Sequence, residues 1–306
     1  MAAAWVAGSV RARLLLQHRA GPETALLVAQ AGSLEEAVGL LSTTGAAVEA
    51  RGASLEAAQR AVAATLALRI RLLAAWLPRD GVAAMRALAG WFELANVEDR
   101  LAYFTGAELR TPYELGMLSS VWARAAPAQS ADEVRRLLAA SSWGDPGSDD
   151  RDDVHLALRL AWARRVSTQV PVARAWAAGA VALLLAGELF VAERPVDDDL
   201  VRRVRLGGSW AGAASIAELR EELPRVAAWA LDGVDDPAEL WRAELAWWRR
   251  VAADAEVLTR TSLGDSAVAT GTVALLAVDA MLVTVALAAA AQAGRATARE
   301  VFDALC

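Results

Sequence analysis

The chain has 306 residues, of which 56% are hydrophobic, and a formal net charge of -6. It is long enough to bury a large core, in one domain or in several modules. Its acidic balance and lack of a basic run exclude the clustered positive charge on which nucleic-acid binding depends, and its single cysteine, Cys306, excludes a disulfide framework.

The first predicted helix runs from Ala2 to His18 and ends before Gly21-Pro22, a dipeptide that breaks helices. Its start, MAAAWVAGSVRARLLL, lacks the basic segment of a signal peptide, so we expect a cytoplasmic protein. A short helix is predicted from Ser33, because Glu36 stands three residues later and completes a capping box. Two long helices are predicted next, at 54–76 and 82–106.

The same order of elements recurs twice along the chain. Thr111-Pro112 predicts a helix start, because proline is favoured at the first helical position. Ser130 with Glu133, and later Ser215, repeat the short capped helix. Each is followed by a long helix and then by an apolar one, predicted at 153–166 and 172–195 and again at 236–258 and 266–294.

Two sets of markers recur with nearly the same period of roughly 90 residues, which is typical of an internal repeat. One set is the capping serines, and the other is a single acid within an apolar helix of each repeat. We therefore predict an all-α protein of three similar helical bundles in a pseudo-three-fold arrangement. The predicted modules are 1–110, 111–206 and 207–306.

The three acids in apolar helices are Glu93, Glu188 and Asp279. A carboxylate buried in hydrocarbon is costly unless it is paired or hydrogen-bonded. We therefore expect each acid to contact an arginine, a helix N-terminus or water, as a structural or interface residue. The alternative interpretation is a proton or ion site, like the central acid of a rotor-ring proteolipid.

The run DDRDD at 149–153 contains the DDxxD spacing with which class I isoprenoid synthases hold magnesium and a diphosphate. The run also precedes a predicted helix, where aspartates are favoured as caps and as partners of the helix dipole. The second metal motif of those enzymes is absent from the sequence. Capping is the favoured interpretation, and a magnesium-dependent isoprenoid-diphosphate enzyme using Asp149, Asp150 and Asp153 is the alternative.

No catalytic set is recognisable elsewhere in the sequence. His18 and His155 have no serine or cysteine partner at a hydrolase spacing, and Gly207-Gly208 lacks the residues that complete a phosphate loop. We therefore predict a non-enzymatic protein with no catalytic, cofactor-binding or metal-binding residues.

Tryptophan is the commonest aromatic residue, with 12 in the chain. Large aromatic side chains are expected in the core. Trp247 and Trp248 cannot both face inward, because neighbouring residues on a helix lie about 100 degrees apart. We predict that Trp248 lies at a partner surface.

The helix predicted at 266–294 raises a further alternative, an integral membrane protein. Asp279 near its middle offsets a large part of the favourable insertion free energy of its valine and leucine residues. This balance favours a buried helix of a bundle over a membrane span.

Five segments of the chain carry a family resemblance: VRARLLL near the start, SLEEAVGLLSTTGAAVEA, the long helix to Trp76, FELANVEDRLAYFTG, and the closing LLAVDAMLVTVALAAAAQAGRATAREVFDAL. In order and pattern they resemble the V-type ATPase central-stalk connector subunits, called C in bacterial and archaeal enzymes and d in eukaryotes. A plan of three similar modules is also characteristic of that family.

The resemblance implies a funnel-shaped all-α protein on the cytoplasmic face of the membrane rotor ring, with the end of the central shaft held in its cavity. Its partners are then the shaft subunits and the rotor ring, and its contact with the membrane is indirect. The implied role is torque transmission in proton or ion transport, without cofactors or chemistry of its own.

Overall fold

The computed structural model describes residues 2–43, 54–196, 212–261 and 266–292, and all regular secondary structure in these ranges is helical. The predicted all-α class is therefore confirmed for this part of the chain. The α-helices are α1 (Ala2–Leu16), α2 (Gly21–Ala29), α3 (Leu34–Thr43), α4 (Leu55–Ala74), α5 (Arg79–Phe104), α6 (Trp122–Ala125), α7 (Ala131–Ala139), α8 (Arg151–Gln169), α9 (Arg174–Ala186), α10 (Ile216–Glu222), α11 (Arg225–Ala228), α12 (Leu240–Thr259) and α13 (Ser266–Ala291).

Contacts divide the chain into two compact units. Unit 1 contains Met1–Gly81 and Trp248–Cys306, and unit 2 contains Val82–Trp247. The boundaries fall within α5 and α12. These bounds differ from those of the three modules predicted from the repeat, and the pseudo-three-fold, funnel-like arrangement stays a prediction.

The core of unit 1 forms around α13, which packs against α1, α2, α3 and α4. A helix that is apolar on all sides needs neighbours on all sides, and 17 of the 26 residues of α13 are buried. The core combines small and branched side chains from four helices: Ala25, Val28, Val38, Leu41, Val62, Leu282, Val283, Ala286 and Leu287.

Among the described residues, two helical stretches, Pro171–Val191 and Ser266–Ala291, have the length and hydropathy of membrane spans. In their most apolar windows, 50% and 56% of the residues are buried within the protein. Core helices meet the same criteria of length and hydropathy. The membrane-protein alternative therefore stays a prediction.

Unit 2 has a core formed by α5, α6, α7 and α8. Helix α9 packs beside it, against α8, α10 and α11. The buried apolar residues of the core come from all four helices, from the residue before α6 and from one loop tryptophan: Leu94, Val97, Leu101, Val121, Ala125, Val134, Leu138, Trp143, Val154 and Leu158.

Three short helices, α3, α7 and α10, begin with the same hydrogen-bonded cap. In each, a serine Oγ accepts from the backbone N–H three residues later at 3.2 Å. The glutamate at that later position accepts from the N–H of the residue before the serine, at 2.8 to 2.9 Å. The predicted capping boxes are thus confirmed, and the pairs are Ser33 with Glu36, Ser130 with Glu133, and Ser215 with Glu218.

One predicted helix start is wrong. The helix predicted at Thr111-Pro112 is absent, because residues 107–115 are irregular and only a 3-10 turn, Gly116–Leu118, precedes α6. Helix α1 ends at Leu16, before Gly21-Pro22 as predicted. Gly21-Pro22 also begins α2, where the proline occupies the first turn, in which backbone N–H groups have no partner within the helix.

Helix α5 ends as the sequence predicts, at Gly106. This glycine has a φ of +99°, in the left-handed region that suits residues without a Cβ atom. Its N–H donates to the carbonyl of Tyr103, and the N–H of Ala107 donates to the carbonyl of Ala102. These two hydrogen bonds end the helix and direct the chain into the irregular segment that follows.

Candidate functional site

Three buried polar side chains lie along one face of α5: Glu93, Asn96 and Arg100. Spacings of three and four residues place them side by side on the helix. Asn96 donates through Nδ2 to the carbonyl of Tyr113 at 2.9 Å and accepts from its N–H at 2.7 Å. Arg100 donates through Nε to the carbonyl of Ala128 at 3.2 Å. This polar face therefore binds the backbone of the chain between α5 and α7.

Glu93, which is only 1% exposed, makes the most hydrogen bonds in the polar face of α5. Its Oε2 accepts from the indole Nε1 of Trp143 at 2.9 Å. Its Oε1 accepts from four donors at the start of α6, where helical N–H groups lack internal partners. These donors are the hydroxyl of Ser119 (2.8 Å) and the backbone N–H groups of Ser120 (2.6 Å), Val121 (2.7 Å) and Trp122 (2.9 Å).

Burial by itself raises the pKa of Glu93, because desolvation disfavours the charged form. The hydrogen bonds from Trp122, Val121, Ser119 and Trp143 outweigh burial and hold the pKa below its ordinary value. The carboxylate is thus ionised near neutral pH, and both oxygens are already occupied by donors. This geometry favours a structural role for Glu93 over the alternative of a proton or ion site.

Arg165 of α8 lies next to this carboxylate cluster and is 8% exposed. Its Nη2 donates to Ser120 Oγ at 3.0 Å, and its guanidinium carbon lies 4.5 Å from the ring centroid of Trp143. Burial lowers the pKa of Arg165, and the negative charge of Glu93 opposes that shift. The sequence analysis did not single out Arg165. The sequence signal that could have identified it is a charged residue on the same helical face as Leu158, which is a core residue.

A cavity of about 370 Å³ adjoins Arg165. On one side it is lined by the loop 141–146, and on the other by one face of α8. Trp143 separates the cavity from Glu93, and its ring lies against Gly90 of α5, where a Cβ atom would come within 3.3 Å of it. The site thus comprises a buried cation, an aromatic wall and an open volume.

Glu188 lies in a π-helical turn, Gly187–Val191, that continues α9. It accepts from Arg194 Nε at 2.9 Å, and Arg194 Nη1 also pairs with Asp152 at 3.2 Å. The prediction that Glu188 contacts an arginine is therefore confirmed.

Asp279 lies in α13 of unit 1 and is 8% exposed. Its two carboxylate oxygens accept from the backbone N–H groups of Ala20, at 3.0 Å, and Gly21, at 2.7 Å. These groups form the start of α2, so the predicted contact with a helix N-terminus is confirmed. Burial lowers the pKa of nearby Arg69, and the charge of Asp279 opposes that shift.

The aspartate run has the structural role that the sequence favours. Asp150 caps α8, because its Oδ1 accepts from the N–H groups of Asp152 at 2.9 Å and Asp153 at 3.3 Å. Within the described ranges, no three His, Cys, Asp or Glu side chains are grouped so that they could hold a metal ion. His155 pairs with Glu98 through Nδ1 at 2.6 Å.

The tryptophans do not all lie in the core. Trp143 and Trp176 are buried as expected, whereas Trp76, Trp91 and Trp241 are exposed. Trp247 donates through Nε1 to the carbonyl of Trp176 at 2.9 Å, and Trp248 is partly buried. The partner-surface role of Trp248 stays a prediction.

Each predicted acid has partners of its own, and none of the hydrogen bonds described above joins one acid to another. A search of protein-family models and of curated proteins found no match for this chain.

Proposed function

We propose that the protein is a non-catalytic connector subunit of a V-type rotary ATPase. In this role it links the central shaft to the membrane rotor ring and transmits torque during proton or ion transport. It is then a cytoplasmic protein that meets the membrane only through its complex.

The threefold recurrence of one helical order is the observation that best supports this proposal. A short capped helix precedes two longer helices at α3–α5, at α7–α9 and, with α11 inserted, at α10–α13, and the last helix is apolar in the second and third sets. The three caps have the same two hydrogen bonds. Recurrence of both order and local geometry indicates repeated units, as in the family that the sequence resembles.

The second support comes from the segment Phe92–Gly106, which carries part of that resemblance. In the structure it bears the polar face of α5, whose side chains bind the backbone between Tyr113 and Ala128. Buried, satisfied hydrogen bonds resist local opening and fix one conformation. A subunit that transmits torque needs this kind of stiffness.

The proposal requires simultaneous binding to the shaft and to the ring. A direct test is to mix the purified protein with the shaft and rotor-ring subunits of a V-type ATPase from the same organism and to analyse the mixture by size-exclusion chromatography. We expect one complex containing all three components. Elution of the protein apart from both the shaft and the rotor-ring subunits would contradict the proposal.

A cellular test distinguishes a connector subunit from a protein that does not take part in the complex. Deleting the gene should leave ATP hydrolysis by the catalytic head while ion pumping by membrane vesicles is lost, because the shaft is no longer joined to the ring. Unchanged ion pumping in the deletion strain would contradict the proposal.

A point variant tests the predicted partner surface. Trp248→Ala should weaken assembly of the complex more than the matched change Trp241→Ala, with circular dichroism as the check on folding.

A further inference from the structure

The cavity beside Arg165 is formed by a loop and a helix within unit 2. Its α8 wall is one continuous face, because residues 157, 161, 164, 165 and 168 follow helical spacing. A volume of 370 Å³ falls within the range of small-ligand sites, and at ~30 Å³ per water it has room for roughly ten water molecules. It suits a small molecule and is too small for a folded segment of a partner.

Arg165 gives this cavity a cation whose hydrogen bonding is incomplete. A guanidinium has five N–H donors, and within the described part of the chain only Nη2 of Arg165 has a hydrogen-bond partner, Ser120 Oγ. Its Nε and Nη1 are buried and have no partner among the described residues. Arg165 is among the residues that line the cavity, so an acceptor bound there lies beside a guanidinium whose hydrogen bonding is incomplete.

Glu93 cannot supply that acceptor. Its Oε1 already accepts four hydrogen bonds, and its Oε2 is bound to Trp143 Nε1. It balances the charge of Arg165 at a distance but forms no ion pair with it. A molecule inside the cavity is then a source of the missing acceptor.

The other charges that line the cavity favour a singly charged anion. Asp145, on the loop, is held by Arg135 at 3.0 Å, so this pair is neutral. Arg164 also lines the cavity and is exposed. With Arg165 balanced by Glu93, Arg164 leaves one positive charge in excess, which matches one carboxylate better than a phosphate dianion.

The remaining surface of the cavity is apolar. Ala157, Leu158, Leu160 and Ala161 form the floor along α8, and Trp143 and Pro146 face them from the loop. Such a surface binds hydrocarbon, because burying apolar area is favourable. The lining thus combines two guanidinium groups with a hydrophobic floor.

We propose that this cavity binds a small carboxylic acid, with its carboxylate on Arg164 and Arg165 and its hydrocarbon part on the floor of α8. Arginine is suited to this because its planar fork matches the two oxygens of a carboxylate. The proposal does not depend on the connector role, since it concerns a site within unit 2 alone.

Isothermal titration calorimetry of the full-length protein with hexanoate tests the proposal, with neutral hexanamide and inorganic phosphate as comparison ligands. We expect hexanoate to bind with a Kd in the millimolar range or below and at least about tenfold more tightly than either comparison ligand. Equal binding of hexanoate and hexanamide overturns the proposal, as does preferential binding of phosphate or no heat with hexanoate up to about 10 mM.

Two variants locate the binding without removing the buried Arg165, whose loss endangers folding. Arg164→Gln should weaken hexanoate binding about tenfold, because it removes one charge-assisted contact. Ala161→Leu should abolish binding by filling the cavity floor. The matched controls Arg225→Gln and Ala139→Leu change exposed residues of the same unit and should keep the wild-type Kd. Wild-type affinity in both test variants contradicts the assigned site.

Discussion

Glu93 in unit 2 and Asp279 in unit 1 are both carboxylates on buried helices, but they are stabilised to different extents. Glu93 accepts five hydrogen bonds, from three backbone groups and two side chains. Asp279 accepts two, both from the backbone at the start of α2. The first acid fixes a stretch of irregular chain and an aromatic ring, and the second fixes the start of one helix.

The difference shows that one buried acid can provide hydrogen-bond acceptors to several backbone N–H groups of a segment with little regular secondary structure. The segment that Glu93 binds, between α5 and α7, contains only short helical turns, so the carboxylate satisfies N–H donors that have no partner within the segment. Helix α2 needs only a cap. The predicted effects of mutation therefore differ in size between the two sites.

Glu93→Gln should have the largest effect. The amide keeps one acceptor oxygen but brings two N–H donors into a site filled with donors, so backbone N–H groups at 120–122 or Trp143 Nε1 lose their partner. We expect a loss of about 3–5 kcal/mol in the free energy of unfolding, measured by urea denaturation. Glu108→Gln, an exposed change, is the control and should stay within about 0.5 kcal/mol. Equal stabilities of the two variants would show that Glu93 does not hold the segment.

The pH dependence of stability provides the second test. The pKa of Glu93 is lowered in the folded state, so the unfolded chain binds more protons and stability falls as pH decreases. The stabilisation from Glu93 is fully present above the unfolded value of about 4.3 and is lost as pH falls through the lower folded value. Urea midpoints should decline more steeply below that pH in the wild type than in Glu93→Gln. Parallel declines would mean that other groups control acid unfolding.

Asp279→Asn should have a smaller effect than Glu93→Gln. The asparagine oxygen still accepts from one of the two N–H groups of α2, so one donor loses its partner and the attraction to Arg69 is removed. We expect a loss of about 1–2 kcal/mol, measured by thermal and urea unfolding. Glu256→Gln, at an exposed site on α12, is the matched control. A loss as large as that of Glu93→Gln would abolish the contrast between the sites.

The capping serines should give the smallest effects and should not differ between the units. Ser33 in unit 1 and Ser130 in unit 2 make the same bond at 3.2 Å. Each change to alanine should lower stability by about 1 kcal/mol. Urea denaturation of the two variants checks this equality, and a difference of more than about twofold would indicate that the caps are not equivalent.

The sequence predicted what depends on neighbouring residues. The caps at Ser33, Ser130 and Asp150 follow from a polar residue just before a helical pattern, and the end of α5 follows from Gly106. The partners of the buried acids were predicted by class, because an unpaired buried carboxylate is too costly.

The sequence could not predict what depends on distant residues. A proline at a favoured position suggested a helix at Thr111-Pro112, but Asn96 binds the adjacent backbone and holds it in an irregular conformation. Arg165 meets Ser120 across 45 residues. No local pattern specifies such a contact, and the cavity beside Arg165 is invisible before the fold is known.

The π-helical turn at Gly187–Val191 has a consequence for insertions and deletions. Because such a turn takes in one more residue than an α-helical turn, the chain leaves it rotated about the helix axis, and Arg194 returns to Glu188 from six residues away. Removing a single residue there restores the regular winding and takes the arginine out of reach. This short stretch should therefore accept substitutions more readily than any change in its length.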